Sequence, residues 1–362
     1  MRRLTTLIAG MIFILTVVMV FHAAAFEESL VVKIPRGVFG PRGMMGDFIV
    51  LKDGSILMAY TQEGIVAIKS TDQGKTWGPP AMLVAKPQPP AKGGICHPSF
   101  LRMANGDILL SYIYNTYPTT PYYGHNYYRR SSDEGKTWSD QYLMTPQAGY
   151  VIVHNDRIQT LSNGRILAIG EYKAHMPSTE DHSGYVGMSF FSDDQGYTWQ
   201  PSANTVDMYP VEVQEGDAVE LKDGRVMLFA RSYSGHPVRA YSTDRGASWS
   251  KGELMKELKM PNAAMPSVRR ITKTGDLLFV WVSEAVAPKE YPNCPRRCAL
   301  TTAISKDEGR TFSHQRNIAR DLEDDYGYQC IEFLGDDLTL VAYHCRDGIR
   351  VARIPIDWFY GK

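Results

Sequence analysis

Six positions of the 362-residue sequence stand nine residues before a short Gly- or Asp-containing turn: Met45, His97, Asn155, Glu215, Pro266 and Tyr328. Seven residues after the same turns come Thr61, Ile113, Glu171, Arg231, Val282 and His344. An imidazole, a carboxamide, a carboxylate and a phenol at one register, with a carboxylate, a guanidinium and an imidazole at the other, are a set able to do acid–base and nucleophilic chemistry if the fold gathers them. A phenol with an ordinary pKa of about 10 is a poor nucleophile until a base takes its proton, so Tyr328 needs a group such as Glu215 beside it. His97 and the run His154-Asn155-Asp156-Arg157 offer either acid–base groups or a hydrogen-bonding floor. The same residues also fit plain structural roles. Tyr328 can be a channel aromatic bonded to Glu215, Arg231 a neutralising partner of Glu215 or Glu171, and His97 a packed histidine.

The elements that must position these residues are repeated. Six segments read as an apolar strand, a tight turn and a second apolar strand: 47–60, 98–112, 157–170, 217–230, 266–281 and 330–343. Downstream of five of them lies an octapeptide of pattern S-x-D-x-G-x-[ST]-[WF], with glycines at 74, 135, 196, 246 and 309. A period of 50–63 residues without helical periodicity marks a radial β-repeat. The fold class is therefore expected to be all-β, a six-bladed β-propeller. Segment 348–355 supplies the third strand of the last blade, and 29–35, from the other end of the chain, the fourth. In each octapeptide the Asp accepts backbone N–H bonds, the Gly takes a positive φ and the aromatic packs beneath the blade. Asp72, Asp133, Asp194, Asp244 and Asp307 are thus expected to be structural. If the inner strands run downward, the turns and octapeptides share the bottom face, and the starts of the inner strands gather on top around a channel.

Composition narrows the function. Lys plus Arg and Asp plus Glu number 39 each, which leaves no basic field for nucleic acid or an anionic membrane. Five cysteines carry no zinc-ligand spacing, and His175 and His182, flanking Glu180 and Asp181, have no strict metal spacing either, so neither metal nor cofactor is expected. Arg2 and Arg3, the apolar run 7–21 and Ala23-Ala24-Ala25 read as a signal peptide over 1–25, leaving one propeller domain over 26–362, secreted or periplasmic and without a membrane span. Export permits disulfides, and Cys294 and Cys298 are close enough in sequence to pair. Tyr117, Tyr122 and Tyr123 lie on one loop, where they can stack on a ligand or pack on the next blade.

At this point the sequence resembles the sialidase (neuraminidase) superfamily with its Asp-box, or BNR, repeats, across the whole segment 26–362. The resemblance implies a glycan or oligosaccharide substrate. It implies that Tyr328, in YGYQCIEFLGDD, is the nucleophile and that Glu215, in EGDAVELKDG, accepts its proton. Arg231, in MLFARS, resembles an arginine that grips the substrate carboxylate. A neutral phenol suits this reaction because an anionic nucleophile would be repelled by the carboxylate on the anomeric carbon. The sequence departs from the pattern twice. Met45 stands where the family's first arginine lies, with Arg42 three residues earlier as the substitute. The connection 61–64, TQEG, lacks the family's acid Asp and offers only Glu63. The third arginine is one of Arg269, Arg270, Arg296 and Arg297. Candidate substrate-binding residues are Arg231, Arg42, His97, Asn155, Asp156, Arg157 and Glu171. Three functions fit: an exo-glycoside hydrolase releasing a terminal, acidic sugar; a related propeller enzyme on another glycan, with His97 or His154 as acid/base; and a noncatalytic carbohydrate-binding propeller.

Overall fold

The computed structural model describes residues 26–87, 93–116, 123–174, 184–261 and 264–362. The signal-peptide expectation for 1–25, the loop tyrosines Tyr117 and Tyr122, and the 175–182 cluster lie outside the described residues. All six expected hairpins form as antiparallel pairs. They join Asp47–Val50 to Ile56–Thr61, Gly94–Arg102 to Ile108–Asn115, Ile158–Thr160 to Ile166–Lys173, Gln214–Glu220 to Val226–Arg231, Ser267–Arg270 to Leu277–Val286, and Gly327–Leu334 to Leu338–Cys345. These hairpins contact their neighbours in cyclic order, and the last returns to the first, so the chain is an all-β propeller.

Four sheets have four strands each and one has nine. In the nine-stranded sheet, Tyr150–Ile152 joins Gly124–Ser131 through the single parallel pair Tyr150↔Gly124. Gly124 permits this approach, since a Cβ there would come within 3.1 Å of the Tyr150 ring. Closure follows the expected route: Glu27–Lys33 lies antiparallel to Gly348–Pro355, from Glu27↔Arg353 to Lys33↔Gly348. Arg350 reinforces it by donating to Glu28 at 2.9 Å, and the Phe26 ring meets Trp358 edge-on at 5.1 Å.

The octapeptides are turn stitches, as their composition implies. In the first, Asp72 Oδ1 accepts from Ser70 Oγ at 2.8 Å and from the Thr76 amide at 2.9 Å, while Oδ2 accepts from Thr76 Oγ1 at 2.6 Å. These bonds hold the Asp72 carboxyl down at about 2. The same bonds recur at Asp133, Asp194, Asp244 and Asp307. Gly246 shows why glycine is needed: φ is +84° and a Cβ would fall 2.3 Å from Leu167 of the neighbouring repeat. Two of the stitches also reach sideways to hairpin turns. Glu134 accepts from the Lys52 amide at 2.9 Å, and Glu308 from the Lys222 amide at 2.8 Å. Stitches and turns therefore share one face, opposite the starts of the inner strands.

The pairing open to Cys294 and Cys298 is not made: both are free thiols. Cys298 is buried on the strand Arg296–Ser305, with Sγ donating to the Arg296 carbonyl at 3.4 Å, whereas Cys294 turns toward Arg42, whose Nη1 lies 3.5 Å from its sulfur. Among the described residues no helix is long and apolar enough to cross a membrane.

Candidate active site

The start of an inner strand is where a side chain can be turned into the channel, and the backbone does this with a repeated device. Pairing slips between Cys96 and Ser99, between Gln214 and Asp217, and between Gly327 and Cys330. At each slip sits a non-glycine residue in the left-handed region: His97 at φ +52°, Glu215 at +45° and Tyr328 at +51°. Such residues cost on the order of 1–2 kcal/mol each, and β-bulges of this kind re-aim side chains beside functional sites. Three strands from three repeats thus spend stability to present an imidazole, a carboxylate and a phenol at one level.

The presented groups meet. Tyr328 Oη donates to Glu215 Oε1 at 2.7 Å, and Arg231 Nη1 pairs with Glu215 Oε2 at 2.6 Å. Tyr328 and Glu215 are 8% and 5% exposed. Burial opposes ionisation of Glu215, but the Arg231 guanidinium, with His154, Arg297 and the Tyr328 hydroxyl behind it, holds the carboxyl well below its usual range. Burial, followed by the Glu215 charge, pushes the Tyr328 phenol up, against the pull of Arg297 and Arg231. Arg231 also donates to Tyr233 Oη, a mouth residue that hairpin counting does not reach.

Two further guanidinium groups complete the surroundings of Tyr328. Arg297 Cζ lies 5.1 Å from the centroid of its ring. Arg297 is 2% exposed, and its Nε and Nη1 have no hydrogen-bond partner. Burial, then the like charge of Arg42, pulls the guanidinium down, as expected of a buried cation short of counter-ions. Arg42 is clamped by Asp325, donating from Nε to Oδ2 at 2.9 Å and from Nη2 to Oδ1 at 2.8 Å. Asp325 also accepts from the Arg297 amide at 2.8 Å, so one carboxylate orients both arginines. Among the four candidates for a third arginine, Arg297 is the one beside Tyr328. Arg269 binds Asp217 and Asp156, Arg270 binds the stitch residue Glu308, and Arg296 faces Glu323. Alternation along a strand explains why Arg296 and Arg297 part company.

The remaining candidates divide. Glu171 Oε2 accepts from the Glu215 amide at 2.9 Å, and Glu171 Oε1 stands 3.6 Å from His154 Nε2. His97 Nδ1 and Asn155 Oδ1 lie 3.3 Å apart, and Asn155 donates from Nδ2 to the carbonyls of Gly46 and Tyr328, both at 3.0 Å. Asn155 is thus spent on holding backbone, including that of the nucleophile candidate. Burial pushes His97 down to about 3, with the neighbouring His154 adding to it, so the ring is neutral. Asp156 and Arg157 are not brought to Tyr328. They line a cavity of about 520 Å³ farther along the channel, toward the turns, with Asp47, Asp217, Arg269 and Glu332. Asp156 accepts from Arg269 and the Ile331 amide, and Arg157 donates to the carbonyls of Asp156 and Pro266. In that cavity the Arg–Asp pairs mostly satisfy one another, whereas unspent donors surround Tyr328. Met45 is packed in the core, and Glu63 is exposed and paired with Lys86 at 3.3 Å, so the 61–64 turn brings no carboxylate to Tyr328.

Known proteins share this arrangement at the level of fold. The family model for the BNR repeat-like domain matches residues 62–332. A sialidase of Micromonospora viridifaciens is 25% identical over 373 residues, covering 92% of this chain and 54% of that protein, so the chain spans about half the length of this relative. The solved NanB sialidase from Streptococcus pneumoniae superimposes with a TM-score of 0.69 at 12% identity, over 91% of this chain and 71% of that one. A Dyadobacter fermentans protein of unknown function gives 0.67 at 21% identity, over 90% and 98%. With a family model covering well over half of its residues and the stitched propeller beneath it, the chain belongs to the BNR repeat-like domain family of the sialidase superfamily.

Proposed function

We propose that this protein is an exported exo-glycoside hydrolase of sialidase type, which releases a terminal acidic sugar from glycans with Tyr328 as nucleophile and Glu215 as its base. The observation that carries this reading is the convergence of Arg42, Arg231 and Arg297 on Tyr328, with buried Arg297 donors left unspent. A substrate carboxylate supplies the missing acceptor, and seating it there brings the anomeric carbon to the phenol. Tyr328 attacks that carbon, the glycosidic bond breaks, and Glu215 Oε1 takes the phenolic proton along the existing 2.7 Å hydrogen bond. Water then releases the sugar by the reverse path. In this reading the propeller has six blades, the nine-stranded sheet counting as two blades bridged at Tyr150 and Gly124, and the export rests on the sequence of residues 1–25 alone.

The test is turnover of a fluorogenic α-sialoside by the purified chain. Tyr328→Phe and Glu215→Gln are each expected to lose nearly all activity while keeping substrate binding, and the double variant to be little worse than either single one. A glycosyl adduct on Tyr328, found by mass spectrometry, supports the covalent route. The turn at 61–64, which lacks a carboxylate at the mouth, favours a second reading, in which another glycan is cleaved with His97 as acid/base. An active Tyr328→Phe protein with a dead His97→Ala protein selects that second reading. Retention of glycans without cleavage selects a binding propeller.

A further inference from the structure

The reading of Tyr328 and Glu215 leaves a proton problem. Glu215 Oε2 is held by Arg231, which makes the carboxylate a weak base, while burial makes the phenol a weak acid. Transfer between the two is uphill, and the proton needs somewhere further to go.

Beside Glu215 lies a buried imidazole with nothing to do. His154 is 5% exposed, and neither of its ring nitrogens has a hydrogen-bond partner. Its Nε2 stands 3.9 Å from Glu215 Oε1, the same oxygen that accepts from Tyr328, and 3.6 Å from Glu171 Oε1. Glu171 is fixed in turn, its Oε2 accepting from the Glu215 amide at 2.9 Å. A buried ring that forgoes all hydrogen bonds is costly, and a protonated ring between two carboxylates recovers that cost by closing those gaps to charge-assisted contacts.

Resting on the Tyr328 reading, we propose that His154 is the proton relay of this site, receiving through Glu215 the proton that Tyr328 gives up, with Glu171 as the counter-ion of the imidazolium. As the bond from Tyr328 Oη to the anomeric carbon forms and the glycosidic C–O bond breaks, the phenolic proton passes to Glu215 Oε1 and then to His154 Nε2. The departing oxygen takes a proton from water at the mouth. In the second half water attacks the anomeric carbon and gives its surplus proton to solvent, while Tyr328 leaves and regains its proton from His154 through Glu215. The groups facing His154 are Glu171, Glu215, His97 and Tyr328, with Arg231 behind Glu215. His97, edge-on at 4.8 Å between ring centroids, is neutral and so does not repel the imidazolium. His154 acts through Glu215 and is therefore a positioning and relay residue.

The experiment uses the full chain and a 4-methylumbelliferyl α-sialoside over a pH series, with Tyr328→Phe as the control for the underlying reading. In the natural protein kcat is expected to fall in acid, since a relay must be free to accept the proton it passes on. For His154→Gln the expected result is a 10- to 1,000-fold lower kcat, KM within about twofold, and loss of that acid-side ionisation from the profile. Added imidazole is expected to restore rate to His154→Ala in proportion to its concentration. Glu171→Gln keeps the ring and removes its counter-ion, so the acid-side inflection should move to lower pH. This variant carries the test should His154→Gln fail to fold. A folded His154→Gln protein with at least a third of natural kcat and an unchanged profile overturns the relay, as does an unmoved inflection in Glu171→Gln. If Tyr328→Phe is inactive in the same series, only the relay has fallen. If Tyr328→Phe is active, or the natural chain turns over no sialoside, the underlying reading falls and the relay with it.

Discussion

Replacing Glu332 by Gln should make the protein more stable in base and leave it unchanged in acid. Glu332 lies on the strand Gly327–Leu334, in the channel cavity below the site, and its carboxyl makes no described hydrogen bond or ion pair. Burial, then the neighbouring Asp156 charge, pushes its carboxyl up to about 7, against the attraction of Arg269. The sign follows from linkage. The folded state favours the protonated acid, so the contribution is fully present below the unfolded pKa of about 4.5 and is lost as pH rises through about 7. A rise from 4.5 to about 7 corresponds to about 3.4 kcal/mol at 1.36 kcal/mol per unit, and the opening of the cavity to water reduces this to about 1–3 kcal/mol. At an unfolding entropy of about 2.1 cal/mol/K per residue, that is about 1–4 °C in Tm for a domain of this size. Thermal or urea unfolding of both proteins at pH 4 and pH 8.5 measures it. Equal midpoints at pH 8.5, or the same shift at both pH values, would refute the argument, because either means that the carboxyl is not held neutral by the fold.

Two other outcomes are expected. Asp244→Ala removes three turn hydrogen bonds and should cost about 1 kcal/mol by thermal unfolding, with KM for a sialoside unchanged; selective loss of turnover in a folded Asp244→Ala protein would place the stitches on the wrong face. Deleting residues 26–33 strips the strand beside Gly348–Pro355 and leaves an open sheet edge, so the melting temperature should drop by several degrees and aggregation should rise, and an unchanged transition would contradict the closure by pairing.

Much of this architecture could be read from the chain because its signals are local. A hairpin announces itself by two apolar runs and a Gly or Asp turn, and the stitch by Asp, Gly and an aromatic at fixed offsets, with no need to know what lies across the ring. The level of Glu215, Arg231 and Tyr328 followed from counting along those hairpins. What counting could not supply was the bulge. A left-handed residue in a strand has no fixed sequence mark, although Gly216 beside Glu215 and Gly327 beside Tyr328 were hints of one. The arginines were harder. Arg42 sits in a loop, and its place is set by Asp325, a residue 283 positions away that no motif singles out. Arg297 differs from Arg296 only by the face its strand position presents. Asp156 and Arg157 were misplaced for the same reason: one or two residues past the channel mouth, they belong to the next level of the ring, toward the turns. Proximity in sequence allowed a Cys294–Cys298 pair, but it does not see that Cys298 turns into the core.

The pairing of Glu27–Lys33 with Gly348–Pro355 also sets a clock. Glu28 and Arg350 stand 322 positions apart, so at translation rates of about 5–20 residues per second the first strand waits roughly 15 to 65 s for its partner. Through that interval the sheet that carries Tyr328 does not exist, although Glu215 and Arg231 have already been made. The two halves of the reactive pair come from sheets completed at different times, and they can meet only once the ring is shut. On the proposed reading, a chain that stops before Gly348–Pro355 lacks the partner of its first strand, and with it the closed ring that holds Tyr328 against Glu215. The first appearance of turnover during refolding should coincide with closure of the ring, later than the bulk recovery of β-structure.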